Sequence, residues 1–388
     1  MVRRERWEAA RRARAGGHRP GGRTGLRGRG PPGLGRRRRR PPRRPAPPRP
    51  GAQQLLAAAR PHRVRTADGD RPGDPGAPTL HHTDALVIAT SGTTGAPKLL
   101  VHTFDGLTAH ARAVHAHLGV DADRDRWLAC LPLAHLGGLG VVLRSLLTDT
   151  PVDVLPGFDA ATVADAPRTL GTTLTSLVPT TLDRIDPSPY RWVVLGGSAD
   201  PTVRPANVVH TYGLTETGGG IVYGGTPLPG AEVHVAADGA ISLAGPMLAR
   251  GRRTRDGTVV SLTDDQGWLA TGDLGRWTAA GRLEVDGRAD DLIVSGGENV
   301  WPATVEAALA THPKVAEVAV QGQPDPEWGQ RVAAHVVPTD PADPPTLAEL
   351  RAHAKATLPA HAAPRALVLS AGLPRTALGK VRRSALPT

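Results

Sequence analysis

The chain has 388 residues, a formal net charge of +11 and one cysteine, Cys130. This length allows two or three domains. A single cysteine excludes an internal disulfide and is typical of the reducing cytoplasm, where we expect this protein to act. No apolar run approaches the roughly 18 residues of a membrane-spanning helix. Because the apolar core of a signal peptide is also missing, we expect a soluble protein without a membrane partner.

The positive charge is concentrated in residues 1–50, which hold eighteen arginines against Glu5 and Glu8. Such a segment cannot bury enough apolar area to offset the entropy of ordering, so we predict that residues 1–50 are disordered. Three interpretations are open: a nucleic-acid-binding arm, a targeting segment, and an upstream stretch translated from a misassigned start. The third is favoured, because nothing in the rest of the chain pairs with a basic arm.

Residues 51–80 are polar and rich in proline and glycine, with a short helical piece near Leu55–Ala59. From Thr83 to about residue 287, β-rich runs alternate with segments rich in alanine and leucine. The predicted elements are strands at Leu86–Ala89, Trp127–Leu131, Val152–Leu155, Thr173–Val178 and Trp192–Leu195, and a helix near Ala109–His117. This alternation is typical of an α/β core whose strands are buried on both faces.

The pattern changes twice towards the C-terminus. From Gly230, turn-forming pairs separate short predicted strands at Glu232–Val235, Ala240–Leu243, Thr258–Leu262 and Arg282–Val285, which indicates a β-rich subdomain. Pro302 then opens a predicted helix at Thr304–Leu309. Two strands, Val315–Val320 and Arg331–Val337, and a helix, Leu347–Leu358, complete a small α+β domain. The sequence therefore predicts an α/β protein with a large N-terminal domain and a small C-terminal one.

The segment Thr90–Lys98 follows an apolar run and carries the groups that a polyphosphate needs. Its hydroxyls, glycine backbone and one ammonium make the following candidate phosphate contacts: Thr90, Ser91, Gly92, Thr93, Thr94, Gly95 and Lys98. Glycine lets the backbone approach the oxygens closely because it has no Cβ. The spacing G-x-x-G-x-x-K differs from the Walker pattern, which disfavours an ordinary P-loop NTPase. An ordinary surface turn is the alternative.

Four further motifs follow in chain order. Thr211–Thr217 offers an aromatic ring, hydroxyls and the Glu216 carboxylate, which suit base stacking, phosphate contact and Mg²⁺. Trp268–Gly275 places Asp273 in a tight turn after a strand, where it could hold ribose hydroxyls. Gly287–Pro302 combines acids with a glycine pair, and Pro374–Lys380 ends in one of only four lysines in a chain with 43 arginines. An ammonium is more compact than a guanidinium, so that choice indicates a specific need.

Taken together, the five motifs resemble the adenylate-forming superfamily of acyl-CoA synthetases, peptide-synthetase adenylation domains and luciferases, over about residues 83–383. The resemblance implies ATP, Mg²⁺ and coenzyme A acting with a small carboxylic acid. It also implies a large AMP-binding domain at 51–289, short in its N-terminal part, and a small mobile lid domain at 290–388. A mobile lid lets one site serve adenylation and thioester formation in turn.

The resemblance implies a role for each matching residue. The nucleotide side comprises Thr90–Lys98 on phosphate, Tyr212 on adenine, Thr215 on phosphate, Glu216 on magnesium, and Asp273 and Arg288 on ribose. The acyl and thiol side comprises His135 at the gate of the acyl pocket, Gly197 and Ser198 beside the adenine and acyl pocket, and Gly296 and Gly297 at the thiol entry. Asp290 falls at the hinge, and Lys380 matches the lysine that serves adenylation.

Within the superfamily, the short length and the run Gly218–Tyr223 most resemble o-succinylbenzoate–CoA ligases of menaquinone biosynthesis. Three departures are a leucine, Leu99, where the family usually has glycine, a short segment between Gly197 and Tyr212, and an N-terminal part so short that activity is in question. A generic fatty-acyl or aryl-CoA synthetase is the alternative. From another class, an inactive nucleotide-binding relative with a basic nucleic-acid-binding arm stays open. The oligomeric state is also open, and a homodimer is among the states allowed.

Overall fold

The structure is a computed structural model that describes residues 55, 57–61, 63–66, 69–90, 97–197, 204–375 and 381–387. The predicted disorder of residues 1–50 lies outside these ranges. In the described part, no helix combines the length and the apolar character that crossing a bilayer requires.

The first eleven strands belong to three sheets. In chain order they are β1 (Arg63–Thr66), β2 (Gly69–Pro72), β3 (Asp84–Thr90), β4 (Lys98–Thr103), β5 (Trp127–Ala129), β6 (Val152–Val154), β7 (Leu174–Leu177), β8 (Trp192–Leu195), β9 (Val208–Leu214), β10 (Gly219–Tyr223) and β11 (Thr226–Pro227). Strands β1 and β2 form a separate hairpin, and β5 to β11 form a seven-stranded sheet of order β11-β10-β9-β8-β7-β5-β6. Its strands β5 to β9 are parallel, while β10 and β11 pair antiparallel.

Four helices accompany these strands: α1 (Phe104–Leu118), α2 (Leu136–Thr148), α3 (Ala160–Thr169) and α4 (Pro179–Leu182). Successive residues of β5 point to opposite faces of the sheet. Trp127 and Ala129 pack in the core that includes α1 and α2, and Leu128 packs in the core that includes α3. The prediction of strands buried on both faces is therefore right for the central strands β5, β7 and β8, whereas the edge strand β6 is partly exposed. The predicted strand Leu86–Ala89 differs, because β3 lies in an antiparallel sheet of order β15-β14-β4-β3.

The remaining strands build the β-rich subdomain and the small domain. They are β12 (Glu232–Val235), β13 (Ala240–Ala244), β14 (Gly251–Arg253), β15 (Val259–Val260), β16 (Leu269–Trp277), β17 (Leu283–Arg288), β18 (Ile293–Ser295), β19 (Glu298–Val300), β20 (Val315–Asp325), β21 (Gly329–Pro338) and β22 (Ala366–Leu369). Strands β12, β13, β16 and β17 form one antiparallel sheet, and β18 to β22 form another with β22 parallel to β21. The predicted strand Thr258–Leu262 is reduced to two residues.

Two helices, α5 (Pro302–Ala310) and α6 (Leu347–Lys355), cover the small-domain sheet. Pro302 occupies the first turn of α5, as the sequence predicts, because that position needs no backbone N–H donor. Thr346 and Glu349 cap α6 reciprocally through their side chains. The observed architecture confirms the predicted fold class, while the boundary between residues 289 and 290 stays a prediction.

Burial favours the neutral form of two histidines on the inward side of α1. His110 is 4% exposed and its Nε2 lies 2.8 Å from the Gly220 carbonyl oxygen. His115 accepts a hydrogen bond from Trp127 Nε1 at 3.2 Å, which requires an unprotonated ring nitrogen. Burial, and next the positive charge of Arg144, lowers the pKa of each histidine to about 4.

We expect the free energy of unfolding to fall as the pH decreases from 6.5 to 4. The pKa of an unfolded histidine is about 6.5, so in this window the unfolded chain binds protons that the folded chain excludes. The contribution is complete above pH 6.5 and is lost towards pH 4, at no more than about 2.7 kcal/mol per pH unit for the two histidines. Urea unfolding at pH 7, 6 and 5 measures this slope. His115→Gln should reduce it, whereas His82→Gln at an exposed position should not; equal slopes in all three proteins would contradict the assignment.

Candidate active site

The predicted phosphate loop joins the two strands of a hairpin. Thr90 is the last residue of β3 and Lys98 the first of β4, and the two are paired across the ladder. Lys98 is exposed and Thr90 is half-buried. Ser91, Gly92, Thr93, Thr94 and Gly95 lie outside the described residues. The ends of the loop are thus held together by the β3–β4 ladder, which orients Lys98 relative to Thr90.

Three of the predicted nucleotide residues form one hydrogen-bonded network. The Tyr212 hydroxyl donates to Asp273 Oδ2 at 2.7 Å, and Arg288 Nη1 donates to Asp273 Oδ1 at 3.1 Å. Asp273 is 5% exposed, so its charge is stabilised mainly by these two partners. Burial, together with the adjacent carboxylate, raises the pKa of Tyr212 and keeps its hydroxyl a donor.

The β-ladder explains why these side chains meet. Asp273 on β16 is directly opposite Arg288 on β17. Thr271 supports the same corner, because its carbonyl accepts a second bond from Arg288 Nη1 at 2.9 Å. Its hydroxyl accepts the backbone N–H of Asp273 at 3.0 Å and donates to the Ile241 carbonyl at 2.7 Å. The Asp273 carboxylate is therefore oriented from its backbone as well as from its side-chain partners.

The turn that connects β9 to β10 holds the predicted phosphate and metal residues. Thr215 and Glu216 lie in a short 3₁₀ turn, Thr215–Thr217, and both are half-buried. The Thr217 hydroxyl donates to the Leu214 and Gly219 carbonyls at 2.9 and 2.6 Å, which closes the turn from within. The Glu216 carboxylate has no partner among the described residues, so its oxygens are available to a cation.

The end of β8 lies beside β9, the strand that carries Tyr212. Gly196 and Gly197 follow β8 directly, and a Cβ at Gly196 would lie 3.3 Å from the Thr211 hydroxyl. That hydroxyl donates to the Leu195 carbonyl at 3.0 Å, which joins β9 to β8 just before Tyr212. Ser198, the other residue predicted here, lies outside the described part of the chain.

The predicted acyl-pocket residue His135 occupies the N-cap position of α2 and is half-buried. Burial lowers the pKa of His135, which favours the neutral imidazole. Asp290 lies in an exposed 3₁₀ turn, Ala289–Asp291, that directly follows β17. The turn is tied to the chain's end because Arg383 Nη1 lies 3.4 Å from Asp291 Oδ2.

The predicted thiol-entry residues lie in the turn between β18 and β19. Gly296 and Gly297 are exposed, and the Gly296 N–H donates to the Trp328 carbonyl at 2.9 Å. The guanidinium of Arg365 stacks over the Trp328 ring at 3.8 Å from its centroid. Lys380 lies outside the described residues, so its predicted role is untested by this structure.

The donor set fits a nucleotide carried with magnesium. Asp273 accepts one bond on each carboxylate oxygen and retains lone pairs for hydroxyl donors such as a ribose diol. Glu216 and Thr215 offer the hard oxygen ligands that Mg²⁺ shares with substrate phosphates. Tyr212 adds an aromatic ring to the same region. The residues therefore suit ATP and Mg²⁺ in the positions that the motifs indicate.

Sequence reasoning missed two residues that support this site. Thr271 anchors both Asp273 and Arg288, and its position two residues before Asp273 was the available signal. His110 contacts the Gly220 carbonyl from a helix 110 residues away, and no sequence pattern indicates that contact.

Two family models match this chain. The model described as AMP-binding enzyme matches residues 46–251, and the model described as AMP-binding enzyme C-terminal domain matches residues 304–380. A protein of Mycobacterium tuberculosis named probable 2-succinylbenzoate–CoA ligase is 42% identical over 326 residues, covering 78% of this chain and 83% of that protein. The 2-succinylbenzoate–CoA ligase of Bacillus velezensis is 35% identical over 336 residues, covering 78% and 68%.

Solved structures of o-succinylbenzoate CoA synthetase (MenE) from Bacillus subtilis share the fold. The complex with the acyl-adenylate intermediate OSB-AMP has a TM-score of 0.69 and 31% identity, covering 78% of this chain and 69% of that one. The complex with ATP and magnesium ion has a TM-score of 0.70 and 30% identity, covering 81% and 73%.

Proposed function

The chain belongs to the AMP-binding enzyme family, and on that premise we propose that it is an ATP-dependent acid–CoA ligase acting on o-succinylbenzoate. The matches confirm the predicted superfamily and the predicted class of enzyme, an acid–thiol ligase that forms an acyl-adenylate. The observation that carries the nucleotide chemistry is the buried Asp273 carboxylate, bonded to Tyr212 and Arg288. The choice of acid rests on the relatives, whose names specify 2-succinylbenzoate and CoA.

In the first half-reaction, a substrate carboxylate attacks the α-phosphate of ATP and pyrophosphate leaves. Both reactants are anions, so the barrier is largely electrostatic. We assign Tyr212 to the adenine, Asp273 and Arg288 to the ribose, and Thr215 to phosphate. Each assignment follows from the family motif, and the network around Asp273 supports it by holding three of these side chains together.

Negative charge builds up on the departing pyrophosphate and at the α-phosphate, and we expect a cation at each of these two places. Lys98, at the end of the predicted loop, would contact the departing pyrophosphate, and Lys380 would act at the α-phosphate. Glu216 would hold Mg²⁺ together with phosphate oxygens. When bound, Mg²⁺ would offset negative charge on those oxygens as the bond to the leaving group breaks.

In the second half-reaction the thiol of CoA attacks the acyl-adenylate and AMP leaves. The turn with Gly296 and Gly297 would line the entry of the thiol. Asp290 would serve as the hinge of the lid domain, whose movement would replace Lys380 at the site with this turn. His135 would stand at the acyl pocket, in keeping with its position at the start of α2.

A panel of carboxylic acids tests the proposed substrate. The full chain is incubated with ATP, Mg²⁺ and CoA, and acyl-CoA is measured by mass spectrometry. We expect o-succinylbenzoate to exceed benzoate and fatty acids in kcat/KM by about a hundredfold or more, because a site built to bind the second carboxylate of this diacid rejects acids that have only one. A better fatty or simple aromatic acid would support the generic synthetase. No pyrophosphate exchange with any acid, combined with salt-sensitive DNA binding lost on removing residues 1–50, would support the inactive relative.

We further infer that the enzyme acts in the cytoplasm, since both ATP and CoA are its co-substrates. The single cysteine, Cys130, is buried and unpaired in the structure, which is compatible with a reducing compartment. The homodimer and any nucleic-acid binding through residues 1–50 stay predictions, which gel filtration and DNA titration at two salt concentrations would test.

A further inference from the structure

The turn that carries Thr215 and Glu216 rests on a run of three glycines, Gly218–Gly220. The ladder between β9 and β10 pairs Gly220 with Gly213 and then shifts register between Gly220 and Val222. A Cβ at Gly213 would lie 2.2 Å from the Gly219 carbonyl oxygen, so the two strands touch through bare backbone. The Thr217 hydroxyl closes the turn internally and the Ala249 N–H donates to the Glu216 carbonyl at 2.7 Å, but the glycine run itself has no side chains to position it.

His110, on helix α1, contacts this run of glycines. Its Nε2 lies 2.8 Å from the Gly220 carbonyl oxygen, and a neutral imidazole can donate there only if Nε2 carries the proton. A Cβ at Gly219 would lie 3.1 Å from His110 Cε1, so the ring packs directly against the glycine backbone. The ring therefore donates a hydrogen bond to the glycine run and also limits how closely this backbone can approach α1.

The bond from His110 lies next to the register shift of the ladder. At a β-bulge the ladder is locally interrupted, and a backbone carbonyl there can accept a donor from outside the ladder. Gly220 is also opposite Gly213, the residue that follows Tyr212. Through this pair, a displacement at Gly220 passes directly to the strand that carries Tyr212.

We propose that His110 is a positioning residue of the ATP site, which holds the β9–β10 turn so that Tyr212, Thr215 and Glu216 face the nucleotide together. This inference rests on the proposed function for the identity of the nucleotide. His110 acts through its contacts with Gly219 and Gly220, and we assign it no contact with the substrate. Loss of the His110 side chain should weaken ATP binding more than binding of the carboxylic acid, because the turn carries residues assigned to the nucleotide. Misplacing catalytic groups by about 1 Å can cost about a hundredfold in rate.

Four substitutions separate positioning from packing. His110→Gln keeps an amide donor at a comparable reach, His110→Asn keeps the amide but shortens it, and His110→Leu removes the donor at similar volume. His117→Leu is the matched control on the same helix, since its ring lies 5.4 Å from the Tyr223 ring and not against the glycine turn. If His110→Leu fails to fold, the comparison of His110→Gln with His110→Asn still shows whether a donor at the right reach is what the site requires.

Two readouts are used on the full chain. Calorimetry with ATP and Mg²⁺ measures nucleotide binding without requiring turnover, and pyrophosphate exchange gives KM for ATP and for the acid separately. We expect His110→Leu and His110→Asn to weaken ATP binding by about tenfold or more, while KM for the acid changes less than about twofold. His110→Gln should restore binding to within about threefold, and His117→Leu should match the unchanged protein.

Parallel losses of ATP binding, acid KM and melting temperature, without rescue by glutamine, would overturn the proposal and leave His110 a packing residue. Unchanged ATP binding in His110→Asn would overturn it as well. A failure of the proposed function looks different: o-succinylbenzoate would give no thioester, yet calorimetry would still report whether His110 affects ATP.

Discussion

Replacing Lys380 with alanine should lower the rate of acyl-adenylate formation by about a hundredfold or more, the scale of removing one donor to the transition state. Thioester formation from a preformed acyl-adenylate should stay close to that of the unchanged protein. The reason is electrostatic, because an ammonium at the α-phosphate stabilises charge only while pyrophosphate is leaving. Once the adenylate exists, that charge has left the site.

The two half-reactions are measured separately. Pyrophosphate exchange with ATP and acid reports the first, and release of AMP from synthetic acyl-adenylate with CoA reports the second. Lys355→Ala is the matched control, since Lys355 is an exposed lysine at the end of α6. It should leave both rates unchanged. Equal loss of both half-reactions in Lys380→Ala would contradict the assignment of Lys380 to the adenylation step.

The candidate site could be assigned from the sequence because its residues fall in short, local motifs, and the roles of these residues stay predictions. Asp273 and Arg288 each sit in a strand or turn whose sequence is typical of the superfamily, and the ladder between β16 and β17 then places them opposite each other. Tyr212 joins them from a different sheet, and the motif predicted its participation without predicting the contact. The motifs indicate which residues are candidates for the site, and the packing decides how those side chains are held.

Helix α2 shows why some elements were missed. Its first turns read Leu-Gly-Gly-Leu-Gly, and glycine lowers helix propensity by about 1 kcal/mol per residue. In the structure a Cβ at Gly138 would lie 2.3 Å from the Leu131 carbonyl oxygen, so close packing against the preceding loop requires glycine there. Tertiary contact decides the element, and no local pattern reports it. The same holds for His110, whose partner Gly220 is distant in sequence.

The second large effect is expected at Asp273. Asp273→Asn keeps the shape of the side chain but removes its charge, which leaves Arg288 without its counter-ion and weakens the acceptor for the Tyr212 hydroxyl. A hydrogen bond to a charged group contributes about 1.5–3 kcal/mol. We therefore expect KM for ATP to rise by about a hundredfold, with a smaller fall in kcat, because the ribose and the adenine-facing ring both lose their support.

Asp286→Asn is the matched control, since Asp286 lies on the neighbouring strand β17 and pairs with Arg276. It should leave KM for ATP unchanged. Tyr212→Phe removes one hydroxyl and should raise KM by about tenfold or less. Because Tyr212 and Asp273 are bonded to each other, the double variant should lose less than the two single effects combined. If Asp273→Asn lowered the melting temperature but left KM for ATP within twofold, Asp273 would stabilise the fold and would not bind the nucleotide.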